Sequence, residues 1–497
     1  MAESVTAETV VVETARGGGA AGDGGAFRLS VKQKSLYAVG DIADAMKNVA
    51  LLQFLLFYLT AVLGMPGSLA GAALAIALAV DAVTDPLFGY MSDNTRSRWG
   101  RRHPYMFASG LPFALALGLL FSVPAIDSNW GLFAYVLTTL VVLRISFSAF
   151  ILPYAALGAE LSRDYHERSV IVTYRNFFNI CANVACITLG FGVFMAGGGL
   201  LDREAYIPFG WTCAAIVLAA TLVSASSTLG LRHRLPAVVA EGTPGLVSFL
   251  REIRDVFRNP SFLILFLTVV IFWIAQGTAV SLGVHAFRYF WEAPTSAIQS
   301  ILIANTAGLA CGIPLSAFTL RRWEKKDVCA GGLILICVFL FVPPTLGIAG
   351  LMPAPGPTLF LVLGVIAFTM GLVQTSVAIS FWSMMADAAD EHDFLFGSRR
   401  EALYFSGLTF GLKCAVGLGT LVAGVALDLI GFPRGLAADP GMEIPADTIR
   451  NLGLIYGPGA AMISLLSVIV LVRYKLDRRE LGRIQGEVAR RDRTPAP

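Results

Sequence analysis

Apolar stretches long enough to cross a lipid bilayer recur along most of this 497-residue chain. A membrane-spanning helix needs about 20 mostly apolar residues, since the hydrocarbon core is about 30 Å thick. Inside that core every backbone N–H and C=O must find a partner, and a continuous apolar stretch satisfies this as a helix. The windows predict twelve transmembrane helices: 36–62, 68–92, 105–124, 131–155, 172–197, 208–230, 260–286, 297–320, 328–349, 357–385, 401–430 and 451–474.

The amino-acid composition agrees with this fold class. Charged residues make up 14% of the chain and hydrophobic residues 56%, whereas soluble domains carry about 25% charged residues. The longest polar connection divides the spans into two sets of six, so we expect an all-α membrane protein with two six-helix bundles. The predicted segments are a disordered cytoplasmic tail (1–30), an N-terminal bundle (31–230), a central cytoplasmic loop (231–259), a C-terminal bundle (260–475) and a basic cytoplasmic tail (476–497).

Basic residues alternate between the connecting segments. Arg96, Arg98, Arg101 and Arg102 follow the second span, whereas the next connection carries Asp127 and no basic residue. Because Lys and Arg favour cytoplasmic loops, we expect a multi-pass protein of the cell (inner) membrane with both termini cytoplasmic. The basic tail would attract anionic lipids. A net charge of +3 gives no sign of nucleic-acid binding.

Two carboxylates lie within the second span. Asp81 and Asp85 are four residues apart, which places them on one face of a helix. A charge at bilayer depth costs about 2.5–3.5 kcal/mol on insertion scales, and two carboxylates repel unless a cation or a proton lies between them. The pair predicts a site for H⁺ or Na⁺ and a cation-coupled transporter.

The motifs of other functional classes are missing. The sequence has no nucleotide-binding glycine loop, no catalytic triad and no zinc-ligand spacing, and its seven cysteines fall mostly in apolar runs. We therefore expect no enzyme activity, no cofactor and no metal other than Na⁺ as a coupling ion.

A charged motif, GYMSDNTRSRWGRR, follows the second span. A carboxylate at a helix end beside an arginine-rich turn can hold one helical bundle against another in one conformation and release it in the next. We interpret the motif, with the acidic segment MADAADEHDFLFGSRRE, as a cytoplasmic gate; the alternative is simple positive-inside charge. The gate comprises Gly89, Asp93, Arg96, Arg101, Arg102, Asp387, Asp390 and Arg399.

These motifs carry a resemblance to a known family. GYMSDNTRSRWGRR resembles the loop between helices two and three of the major facilitator superfamily. DAVTDPLFGYMSDNTRSRWGRRHPY, FILPYAALGAELSRDYHERSVIVTYRNFF and ADAADEHDFLFGSRREALYFSGLTFGLK resemble the glycoside–pentoside–hexuronide:cation symporters, which include the melibiose permeases. The resemblance implies cation-coupled symport of a sugar, glycoside or uronide by alternating access.

The resemblance also implies roles for single residues. Asp81 and Asp85 match the carboxylates that bind the coupling cation, with Thr84 as a further polar ligand. Arg175 matches an arginine of the sugar site, and Lys413 matches a lysine near the cation site. Independently of the family, a lysine in an apolar span needs a carboxylate partner. Lys413 could instead form a purely structural ion pair between helices.

Two family carboxylates are replaced. Ala45 stands where the first-helix aspartate grips the sugar, with Asp44 one residue earlier, and Ile151 stands where a fourth-helix aspartate serves sugar and sodium. Ser148 leaves a hydroxyl nearby. Fewer oxygen ligands favour H⁺ over Na⁺.

The remaining candidates have two interpretations each. Arg144, within the fourth span, would bind an anionic group of the substrate or pair with Asp41 or Asp44. If Arg144 and Arg175 both reach the cavity, a uronide is favoured. Tyr37 and Trp382 would stack on a sugar ring or pack as core or interfacial aromatics. The predicted substrate-binding set is Asp44, Arg144, Arg175, Tyr37 and Trp382.

Two other functions remain open. The loss of the sugar-gripping carboxylates is compatible with a lysophospholipid or other amphiphile as the cargo of the same fold. A non-transporting membrane sensor would tolerate neutral residues at Asp81 and Asp85. We expect a monomer that binds a small molecule, a sugar or glycoside.

Overall fold

The computed structural model describes residues 29–162, 164–231, 254, 256–397, 401–439 and 441–493. This part of the chain is helical and contains no strand, which confirms the predicted all-α fold. Most of the predicted N-terminal tail, most of the central loop and the gate residue Arg399 lie outside the described residues.

The first six helices form the N-terminal bundle. Helix α1 covers 31–62 in four pieces, Val31–Ala38, Asp41–Val49, Ala50–Leu55 and Tyr58–Val62. The others are α2 (Gly67–Asn94), α3 (His103–Leu120), α4 (Asn129–Glu160), α5 (Tyr165–Ile187, continued by Thr188–Phe194) and α6 (Arg203–Leu229).

The next six helices form the C-terminal bundle. They are α7 (Pro260–His285, continued by Ala286–Phe290), α8 (Thr295–Arg322), α9 (Lys325–Ile348), α10 (Pro357–Phe396), α11 (Glu401–Leu429) and α12, which joins Ala446–Leu454, Ile455–Gly459 and Ala460–Leu471. A last helix, α13 (Arg478–Arg493), follows the membrane spans.

Eleven helices of the described chain are long and apolar enough to cross a membrane. The twelfth predicted span is α1, which is interrupted after Ala38 and contains two π-helical segments. Its polar residues Asp41, Asp44 and Lys47 fall in one short piece, and its apolar part from Phe54 to Leu59 is almost fully buried. Helix α1 is therefore enclosed by protein rather than by lipid, which accommodates charges that a lipid-facing helix would exclude.

Helix α10 is longer than the sequence predicts. It has 40 residues and continues through the acidic segment to Phe396, because Ala388, Ala389 and His392 are buried against neighbouring helices. It ends at Gly397, whose φ of 74° is a left-handed conformation that glycine adopts without strain.

The two bundles meet along α2 and α11. Small residues allow the two backbones to touch, as in many membrane helix pairs. A Cβ at Gly424 would overlap the carbonyl oxygen of Gly67, and a Cβ at Gly71 would lie 2.9 Å from the carbonyl oxygen of Thr420. The helices therefore cannot approach this closely with larger residues at these positions.

Hydrogen bonds also join the bundles where α2 begins, a region we call the closed end (Thr60, Gly67, His285, Asp428 and Gly435). The backbone N–H groups of Gly67 and Ser68 donate to the Asp428 carboxylate at 2.9 and 2.8 Å. The hydroxyl of Thr60 lies 2.9 Å from Nε2 of His285. The opposite end, which carries the first and last described residues, we call the terminal end.

Helix α13 packs on the terminal end. The Arg478 guanidinium donates to the carbonyl oxygens of Leu320 and Trp323, at 3.0 and 2.7 Å, and Ile484 is buried. The basic segment predicted as a tail thus contributes a helix that contacts α8 and α10.

Candidate cation site and its surroundings

The aspartate pair of α2 lies at the junction of the two bundles. Asp81 is 1% exposed, and its Oδ2 lies 2.8 Å from Nζ of Lys413. The same ammonium group contacts Oδ2 of Asp85. Since Lys413 belongs to α11, one lysine of the C-terminal bundle neutralises two carboxylates of the N-terminal bundle. The predicted contact between Lys413 and the aspartate pair is present.

Helix α4 supplies two more partners to Asp81. The Ser148 hydroxyl donates to Oδ1 at 2.9 Å, and Nη1 of Arg144 lies 3.6 Å from Oδ2. The hydroxyl of Thr84 donates to Ser148 at 3.3 Å, so Thr84 contacts the carboxylate through Ser148. The interpretation that Arg144 pairs with Asp41 or Asp44 needs correction, because α4 turns its guanidinium towards α2.

A second ion pair adjoins this site on α1. Lys47 lies 3.2 Å from Oδ1 of Asp44 and 3.1 Å from the centroid of the Phe147 ring. Asn48 donates to the same Asp44 oxygen at 2.9 Å. Asp44 was predicted as a substrate contact. In the structure its carboxylate instead binds Lys47 and Asn48 of its own helix. Three aspartates and three cationic side chains balance in this region: Asp44, Asp81 and Asp85 with Lys47, Arg144 and Lys413.

One oxygen of this network has no partner. Oδ1 of Asp85 is buried and accepts no hydrogen bond from the described residues, whereas both oxygens of Asp81 are engaged. A buried carboxylate oxygen without a donor is costly. Asp85 therefore offers the place where an added proton or cation changes the network most.

The predicted sugar-site arginine has a strong local partner. Nε and Nη2 of Arg175 donate to the Asp41 carboxylate at 2.6 and 3.1 Å. The guanidinium also lies 4.8 Å from the centroid of the Tyr154 ring. Arg175 keeps 23% of its side chain exposed, so a ligand could reach it, although its bidentate carboxylate contact is already filled.

The two predicted aromatic platforms differ. Tyr37 is fully buried, stacks on Tyr154 with ring centroids 4.6 Å apart and donates to the Tyr154 carbonyl oxygen at 2.7 Å. No face of Tyr37 is open to a sugar, so its interpretation as a substrate contact needs correction. Trp382 is 40% exposed and stacks on Phe405.

The gate residues form separate clusters in the two bundles. Arg102 lies 2.8 Å from Asp93 and 2.5 Å from Glu160, and Arg101 lies 2.7 Å from Glu160. In the other bundle, Asp387 lies 2.7 Å from Lys325, and Gln485 donates to Asp390 at 2.9 Å. Arg96 is exposed, and Gly89 faces open space.

Glu160 is a partner that the sequence prediction missed. It closes α4 and lies in the stretch GAELSRDYHERS, where its position at the end of an apolar span was the available signal. In this conformation Arg101 and Arg102 form their ion pairs within their own bundle. The described residues contain no group of three or more His, Cys, Asp or Glu side chains that could hold a metal ion.

Comparisons with known proteins give a consistent result. Residues 36–478 match the model of a family described as MFS/sugar transport protein. The inner membrane symporter YicJ of Escherichia coli (strain K12) is 25% identical over 90% of this chain and 92% of its own length. The isoprimeverose transporter of Lactiplantibacillus pentosus is 24% identical over 89% of this chain and 88% of its own length. The crystal structure of a D-xylose-proton symporter, at 12% identity, covers 90% of this chain and 98% of its own with a TM-score of 0.62, which shows a shared fold.

Proposed function

This chain belongs to the MFS/sugar transport protein family, and from that premise we propose that it carries a sugar or glycoside across the membrane together with a cation. The observation that supports coupling most directly is the contact of Lys413 with both Asp81 and Asp85. It joins the two bundles through charges that a coupling cation would change.

The coupling step begins at Asp85. A proton that binds its carboxylate removes one of the two negative charges that hold Lys413, and the proton stays on Asp85 until the site faces the other side. The bond between α2 and α11 then weakens, because Lys413 keeps Asp81 as its remaining carboxylate partner and Arg144 competes for it. Weaker contact between the bundles lets them rock about the central site.

A proton suits this site better than Na⁺. Na⁺ would need several oxygen ligands in place of Lys413, and Asp81 is already shared with Arg144, Ser148 and Lys413. A proton needs one oxygen. Three cationic side chains already balance the three aspartates of this region. A Na⁺ ion added among them would therefore be repelled by these side chains at short range.

The orientation follows from charge. We infer that the terminal end faces the cytoplasm of the cell and lies at the inner membrane surface, because it carries the arginine-rich connections. The closed end then faces outward, and this conformation is open to the cytoplasm. In the opposite conformation, Asp93, Arg101 and Arg102 would exchange partners with Asp387 and Asp390 of the other bundle and close the cytoplasmic gate.

The cargo is a small polar molecule. The relatives reported above include a transporter of isoprimeverose, and the buried polar groups around the site favour a hydroxylated ligand over a lysophospholipid. We propose a monomer with one cation site and one substrate site, driven by the membrane potential at about 2.3 kcal/mol per charge per 100 mV.

The test is accumulation of a radiolabelled sugar in proteoliposomes with an imposed proton gradient. The sugar is chosen as one that stabilises the purified protein against heat. We expect Asp85→Asn to abolish accumulation against a gradient while exchange of labelled for unlabelled sugar continues. Asp127→Asn, in an exposed loop, is the control and should accumulate sugar like the wild type. Accumulation by Asp85→Asn at the wild-type level would contradict the proposed mechanism.

A further inference from the structure

A cavity of about 120 Å³ lies between α1 and the C-terminal bundle, and no charged residue of the cation site lines it. Four carboxamides line it, from four different helices. They are Gln53 of α1, Gln276 of α7, Asn305 of α8 and Gln374 of α10.

Three of these carboxamides are unpaired. Gln53, Gln276 and Gln374 make no hydrogen bond with any described residue, and Asn305 uses its amide nitrogen for the Ala367 carbonyl oxygen at 3.0 Å. Gln276 is 5% exposed. A carboxamide offers two donors and an acceptor, so these side chains can give hydrogen bonds to a ligand in the cavity and accept them from it. Convergence of such groups from separate helices is expected of a site that supplies hydrogen bonds to a ligand.

The helices hold these side chains in fixed positions. Gln276 precedes Gly277, where an added Cβ would lie 2.8 Å from the carbonyl oxygen of Val416, so α7 and α11 are in backbone contact there. Thr278 strengthens this contact by donating to the Gly419 carbonyl oxygen at 3.1 Å. One face of α7 is thereby fixed against α11, and Gln276 is left to the cavity.

The rest of the lining is apolar, aromatic and uncharged. Trp291 and Tyr456 contribute aromatic surface, and no charged residue lines the cavity in the described part of the chain. Carboxamides bind hydroxyl groups as both donors and acceptors, and aromatic faces pack on the C–H face of a ring. A carboxylate here would find no cation, and an acyl chain would leave the carboxamides without partners.

We propose that this cavity is the substrate-recognition site and that it selects an uncharged, polyhydroxylated ring, a neutral sugar or glycoside, in preference to a uronide or an amphiphile. The proposal rests on the sugar symport proposed above. It separates two tasks: the charges of α1, α2, α4 and α11 couple the cation, and the carboxamides recognise the cargo. Because Gln53 comes from the N-terminal bundle, the site changes shape when the bundles move.

The test measures ligand affinity of the purified full-length protein. The probes are the methyl β-pyranosides of glucose, galactose and xylose, methyl β-glucuronide and lysophosphatidylcholine, each followed by thermal shift and calorimetry. We expect a neutral pyranoside to bind best. Gln276→Leu and Gln374→Leu, which keep the side-chain size, should each weaken its binding about tenfold, as the loss of one buried hydrogen bond predicts.

Controls separate recognition from folding. Asn129→Leu, at an exposed position where α4 begins, should bind like the wild type. If Gln276→Leu does not fold, Gln53→Leu tests the same cavity from the N-terminal bundle. All cavity variants should keep the wild-type response of thermal stability to pH, since the charged network is untouched.

Three outcomes would overturn the inference. The first is that the glucuronide binds more tightly than the neutral pyranosides. The second is that lysophosphatidylcholine binds and its affinity is unchanged or higher in the three cavity Gln→Leu variants. The third is that the same three variants bind the pyranoside with unchanged affinity. In each case cation-coupled uptake by the wild type could persist, and the symport proposal would stand. Absence of any cation-coupled sugar uptake would instead overturn the symport proposal and this inference with it.

Discussion

Lys413 stabilises a pair of charges that α2 could not otherwise carry. Breaking a buried ion pair by removing one partner typically costs about 3–5 kcal/mol, because the remaining charge stays buried. Here one ammonium group serves two carboxylates. Its removal leaves Asp81 with Arg144 and leaves Asp85 without a counter-charge.

Lys413→Met should therefore make stability depend on pH. Without the lysine, the native protein holds an extra proton at the aspartate pair, whereas the unfolded chain at neutral pH does not. Because the native state then binds more protons, the free energy of unfolding falls as pH rises. We expect the melting temperature of Lys413→Met to decrease between about pH 5 and pH 8 more steeply than that of the wild type.

Lys32→Met provides the matched comparison, since Lys32 is exposed at the start of α1. It should follow the wild-type pH profile. A Lys413→Met profile parallel to the wild type would mean that another group neutralises the aspartates. The measurement is the melting temperature of both variants and the wild type across the same pH series.

The sequence predicted part of this site and missed the rest for a physical reason. The cost of a lone lysine in an apolar span was enough to predict a carboxylate partner for Lys413. The partner of Arg144 depends on the rotation of α4 about its axis, which the apolar pattern of a largely buried helix does not define. The carboxamides were missed because three glutamines and one asparagine, each in a separate span, form no local motif.

At the scale of helices, hydrophobicity defined the spans and left their contacts open. The predicted windows correspond to the observed helices, with α1 interrupted and α10 extended. The crossing of α2 and α11 depends on Gly67, Gly71 and Gly424. Glycine is frequent in this chain, 50 residues in all, so its presence alone did not show which glycines meet.

Gly424→Ala should open the closed end. The new methyl group would overlap the Gly67 carbonyl oxygen, so α2 and α11 must move apart. We expect a larger population of the conformation that is open at this end. Spin labels at Asp127→Cys and Glu443→Cys, exposed positions in loops of the two bundles, should show a longer mean distance.

The measurement needs a background with the exposed cysteines Cys181 and Cys311 replaced by serine. Gly364→Ala, on α10, is the control because its Cβ would meet no atom within 4 Å. It should leave the distance unchanged. An unchanged distance in Gly424→Ala as well would show that the helices absorb the methyl group without a shift of the bundles.

At the scale of the whole molecule, two halves with different chemistry face each other. The N-terminal bundle holds three aspartates and two of their cationic partners, and the C-terminal bundle supplies Lys413 and three of the four cavity carboxamides. The two-bundle division was predictable from the polar stretch between them. The conformation, joined at the closed end, was not, because the same sequence must also adopt the opposite one.

Coupling between the halves must be reciprocal. If a proton on the aspartate pair raises sugar affinity by some factor, then sugar raises proton affinity by the same factor. We expect sugar affinity to increase as pH falls, by about 5- to 150-fold over the full titration. Calorimetry in buffers of different ionisation enthalpy should show proton uptake on sugar binding that equals the slope of affinity against pH.

Asp85→Asn should lose both the slope and the uptake, since its side chain cannot take the proton. Sugar binding that ignores pH and strengthens with Na⁺ would contradict proton coupling and transfer the role of coupling ion to Na⁺, whose entry would then require Lys413 to leave the site.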